Sequence, residues 1–90
     1  MLTYRMQMRT ENLKGGAYLE MWCQLPGQGE FFSKGLHHKV EGTTDWASYE
    51  VPFYLKKGQI PDLIKLNVVL EGSGTVWFRN IELLHTALKN

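Results

Sequence analysis

The sequence predicts an all-β domain, an antiparallel β-sandwich or jelly roll with little or no helix. Three observations predict it. Apolar residues recur with period two along most of the chain, Gly-rich breaks separate the alternating runs, and no stretch repeats apolar residues at i, i+3 and i+4. The 90 residues are 43% hydrophobic and 21% charged, a balance that suits one core, so residues 1–90 read as a single domain.

The first alternating run is Tyr4–Arg9, with Tyr4, Met6 and Met8 on one face and Arg5, Gln7 and Arg9 on the other. Gly15-Gly16 reads as a turn. From Ala17 to Leu25 the odd positions are apolar, while Tyr18, Glu20, Trp22 and Gln24 point the other way. Pro26–Gly29 is a turn, Glu30–Ser33 a short strand with Phe31 and Phe32, and His38–Glu41 a further short strand. Gly42–Asp45 reads as a loop. Tyr49, Val51, Phe53 and Leu55 then alternate with Ser48, Glu50, Pro52 and Tyr54, and Pro52, which cannot donate to a ladder, points to an edge or a bulge. After a connection over Lys56–Asp62, Ile64, Leu66, Val68 and Leu70 form another apolar face. Gly72-Ser73-Gly74 reads as a tight turn between neighbouring antiparallel strands. The last strand, Thr75–Leu84, is apolar on both faces and is expected to be covered on both sides or to lie central in a sheet. The only place for a helix is the tail after Leu84.

Composition narrows the function. Ten basic and nine acidic residues are interleaved for a net charge of +1, so no basic stripe exists and nucleic acid is not an expected partner. No apolar run approaches the roughly 18 residues of a membrane span, and the opening Met1–Arg5 lacks the apolar core of an export signal. Membrane is therefore not an expected partner either. Cys23 is the only cysteine, which rules out an intrachain disulfide and a Cys-rich zinc site, and it is expected to be a buried thiol.

Catalytic chemistry finds little support. His37 and His38 with Glu41 suggest a metal, but consecutive strand residues point to opposite faces, so solvated side chains are expected and no metal or other cofactor is assigned. Spacing selects no facing pair among the carboxylates. No nucleophile elbow, phosphate loop, dinucleotide fingerprint or Cys–His arrangement is present. A non-catalytic binding protein is the expectation, with no catalytic residues.

Three segments together resemble the C-terminal half of galactose-binding-like jelly-roll domains, which include many carbohydrate-binding modules. They are Gly42-Thr43-Thr44-Asp45-Trp46 followed by Tyr49-Glu50-Val51, then Leu66–Thr75, then Val76-Trp77-Phe78-Arg79-Asn80-Ile81-Glu82-Leu83. The resemblance spans roughly Tyr18–Leu83. It implies a sandwich and a glycan ligand, with Trp46 and Trp77 as packing residues. Arg79 stands where the family pattern has Asp, which puts any inherited calcium or sugar contact there in doubt. The chain also enters at what resembles an internal strand of the family. Uncovered edges and apolar surface are then expected, and with them a homo-oligomer.

The candidate ligand face combines Arg5 and Arg9, with Gln7, and Tyr18, Glu20, Trp22 and Gln24, extended by Lys65 and Asn67, if the two strands lie side by side. Aromatic rings offer flat apolar surface to the C–H groups of a pyranose, and Arg, Glu, Gln and Asn offer hydrogen bonds to hydroxyls. The same face read as a subunit interface gives the alternative: a homo-oligomeric structural protein whose aromatic side is buried between copies.

Overall fold

A computed structural model describes residues 1–86 of the chain. Among them 76% are in strands, all pairings are antiparallel, and there is no α-helix. The strands are β1 (Leu2–Leu25), β2 (Gly29–Lys34), β3 (Val40–Phe53), β4 (Leu63–Leu70) and β5 (Ser73–His85), with a short 3-10 turn over Leu36–His38. The sequence expectation of an all-β fold holds.

β1 organises everything. Its first half pairs with β3 on one side and β5 on the other; its second half pairs with β2 and β4 in the same way. At 24 residues it would extend about 80 Å if straight, yet the longest dimension of the molecule is 43 Å. It therefore folds over at its middle. Residues 54–62, which span at most about 30 Å, connect Phe53, opposite Leu2, to Leu63, opposite Gln24, so the two ends of β1 lie close together. The result is a sandwich: β3-β1-β5 forms layer I and β2-β1-β4 layer II.

The core lies between the layers. Tyr4, Met6 and Met8 from the first half of β1 meet Leu19, Met21 and Cys23 from the second, with Leu2, Val40 and Val51 completing the buried cluster. The change from even to odd core positions is absorbed at the corner, where Asn12, Gly15 and Gly16 have positive φ.

The corner corrects several expectations. Gly15-Gly16 is a fold within one strand rather than a hairpin turn. Gly72–Gly74 likewise does not join paired neighbours, since β4 and β5 run in the same direction along β1 and step across its corner. Backbones cross there so closely that a Cβ on Gly72 would collide with the Lys14 carbonyl, and one on Gly74 (φ +137) would lie 2.7 Å from Leu13 Cα. Gly42–Asp45 is strand rather than loop. Buried Thr10 pins it, its Oγ1 lying 3.0 Å from Gly42 O and 2.8 Å from Thr44 Oγ1 and accepting the Thr44 N–H at 3.1 Å. His37 and His38 lie exposed in the 3-10 turn rather than at a strand start, because β3 begins only at Val40. Four tail residues, 87–90, lie outside the described residues.

β5 corrects a further one. It pairs only with β1, so it is an edge strand, and Phe78 and Ile81 are each 52% exposed rather than covered. An extra residue at Asn80 (φ 56) shifts its register between Gln7↔Arg79 and Arg5↔Glu82. This bulge keeps Phe78 and Leu83, opposite Met8 and Tyr4, on the core side although their numbers differ in parity.

Candidate functional site

The residues proposed as one face divide between two layers. Arg5, Gln7 and Arg9 point outward from layer I; Tyr18, Glu20, Trp22 and Gln24 point outward from layer II. The two runs belong to one folded strand and are not side-by-side strands, so Arg5 and Arg9 do not share a surface with Trp22. Lys65 and Asn67 do extend the second group, because the register sets Lys65 opposite Trp22 and Asn67 opposite Glu20.

The layer II face is built around Trp22. On its β2 side the pairing Trp22↔Phe32 brings two rings together, with centroids 5.6 Å apart and planes tilted by 32°. On its β4 side the Lys65 ammonium lies 5.7 Å from the indole. Glu20, nearly buried, fixes the ring's angle: its Oε1 accepts a 2.6 Å bond from Trp22 Nε1 and a 3.1 Å bond from Asn67 Nδ2. Lys34 Nζ lies 3.8 Å from the other carboxylate oxygen and 4.8 Å from the Phe32 ring. A half-buried indole held from behind by a charge-assisted bond is a preorganised apolar plane.

Not every expected residue joins that plane. Tyr18 is only 7% exposed. The Lys39 ammonium lies 5.7 Å from its ring and is itself paired with Glu71 at 2.7 Å, which raises the Lys39 pKa. Glu20 is engaged with three partners and acts as a brace. Gln24 is exposed at the open end, next to Glu30 and Leu63 in register. Phe32, 55% exposed, is the residue that sequence reasoning left out of the face. Its signal was available in the short strand after Pro26–Gly29: a hairpin of that length sets Phe32 opposite Trp22.

Layer I carries a different surface. The Arg79 guanidinium lies 3.9 Å from the Trp46 ring centroid, and its Nε donates to Gln7 Oε1 at 2.9 Å. Arg9 sits 4.9 Å from the centre of the Trp77 ring, and Arg5 pairs with Glu82 at 3.2 Å. Trp46 and Trp77 are thus outward-facing rings under arginine lids and not core residues. The lid gives Arg79 a role of its own at the position where the resembling family has Asp. Among the described residues no cluster of three or more His, Cys, Asp or Glu side chains could hold a metal ion.

No protein-family model, curated protein or solved structure matches the chain. The resemblance to galactose-binding-like domains accordingly rests on the residues quoted for it above.

Proposed function

We propose that this chain is a non-catalytic binding module that takes carbohydrate on the outer face of layer II. The observation behind the reading is the pairing of half-buried Trp22 with exposed Phe32 on the outer side of a sheet, angled by Glu20 and bordered by Gln24, Lys65 and Asn67. A pyranose stacks its C–H face on Trp22 and Phe32. Gln24 and the Lys65 ammonium then reach its hydroxyls, while Glu20 and Asn67 hold the indole in place. Trp46 in layer I is less suited, since the Arg79 guanidinium lies 3.9 Å from its ring centre whereas the Lys65 ammonium stands 5.7 Å from that of Trp22.

The test is a glycan array followed by titration of the best oligosaccharide. Trp22→Ala is expected to weaken binding by about tenfold or more, equivalent to about 1.4 kcal/mol. Unchanged affinity in a folded Trp22→Ala protein removes the site. Self-association, the other reading of the sequence, finds its apolar surface elsewhere: the large exposed aliphatic side chains concentrate on β4 and β5.

A further inference from the structure

The sandwich is open along one side. Between β4 and β5 lies a groove of about 690 Å³, lined by Leu66, Val68, Leu70, Val76, Phe78 and Ile81 among others. Beside it runs the outer edge of β5, with which no strand pairs among the described residues. Such an edge presents unpaired N–H and C=O groups next to apolar side chains, a template for another strand.

We propose that a second copy of this chain pairs antiparallel with β5, about a two-fold axis between Asn80 and Ile81, and closes the open side of both molecules. In that register the edge of β5 is complementary to itself. That axis sets Arg79 opposite Glu82 of the second copy, and both side chains point outward from layer I. It sets Phe78 opposite Leu83 of the second copy, both on the core side, and Trp77 opposite Leu84 of the second copy, both outward. Numbers that sum to an odd value ordinarily pair inward with outward residues; the bulge at Asn80 corrects the parity. Shifting the second copy by one residue sets Phe78 against Glu82 and puts an apolar core-side residue across from a charged outward one.

In this arrangement the two layers I join into one continuous sheet. Inner faces stay on one side, so the two grooves face each other across the axis and Phe78, Ile81 and Leu83 of both copies lie together. The Trp22 face is on the other layer and remains open. The dimer therefore does not rest on the glycan reading.

Charge-reversed variants test the register. Sedimentation equilibrium of the wild-type chain at micromolar concentration is expected to give twice the 10.4 kDa chain mass. Arg79→Glu sets two acids opposite each other and Glu82→Arg two bases, so each variant alone is expected to be a monomer. Mixed in equal amounts they become complementary, and a heterodimer is expected. A monomeric wild type, dimers unaffected by either reversal, or no association on mixing overturns the proposal. Hydrogen exchange on the wild-type chain gives a readout independent of any substitution. Outward amides of β5 are expected to slow as concentration rises while those of β2 do not, and equal exchange at all concentrations overturns the pairing.

Discussion

At the scale of single residues, burial decides which chemistry is available. Tyr4 is 1% exposed, and burial pushes its phenol from 10.0 up to about 12. The neutral phenol is the form the core accepts, so its contribution to stability is complete below pH 10 and is lost as pH rises towards 12. Urea unfolding followed across that range is expected to show falling stability, and Tyr4→Phe to flatten the fall. Cys23 is fully buried and its thiol pKa is also raised by burial. Its reaction with a thiol reagent is expected to track global unfolding, whereas rapid labelling of the native chain would place it outside the core. Core position and outward position at these residues were legible from period two. Trp46 and Trp77 were not, because their burial depends on Arg79 and Arg9, which pair with them only through the register of β3 and β5 with β1.

At the scale of elements, the fold turns on a corner that the chain crosses several times. Period-two alternation reveals each half of β1 but not their union, since Gly15-Gly16 looks the same in a hairpin turn and in a folded strand. The distinction lies in the neighbours: β3 continues past the corner through Gly42, and β4–β5 steps across it at Gly72. Local sequence does not carry that information. The crossing makes a sharp prediction. Gly72→Ala is expected to cost more than about 2 kcal/mol of unfolding free energy, because its Cβ meets the Lys14 backbone and not a movable side chain. Gly27→Ala is the contrasting control: unlike Gly72 it has positive φ (+73), but nothing lies within 4 Å of its Cβ, so its loss reports backbone conformation alone and is expected to be smaller. Equal losses in denaturant titrations would deny the close crossing. At the same scale the candidate face was half legible. Tyr18 to Gln24 are on one side of one strand by alternation, while the exclusion of Arg5 and Arg9 follows from the corner alone.

At the scale of the whole molecule, the proposed glycan binding and the proposed pairing of copies fall on different layers. Layer II carries the tilted Trp22–Phe32 pair, and the open side carries the β5 edge, which pairs with no strand but β1 among the described residues. Joined through β5, a dimer carries two outward Trp22 faces, so binding to a repeating polysaccharide is expected to be tighter than to a short oligosaccharide of the same sugars. Calorimetry with both ligands checks this, and the Arg79→Glu monomer is expected to lose the difference while keeping its affinity for the short ligand. The proposed function requires that glycan bind layer II and leave the rings of layer I untouched. Its most direct measurement is the titration of ¹⁵N-labelled protein with soluble cello-, xylo-, manno- and galacto-oligosaccharides while the indole N–H resonances of Trp22, Trp46 and Trp77 are followed. Saturable movement of the Trp22 resonance, with those of Trp46 and Trp77 stationary, is the predicted result; movement of the layer I indoles while Trp22 stays fixed, or no movement with any of the sugars, contradicts it.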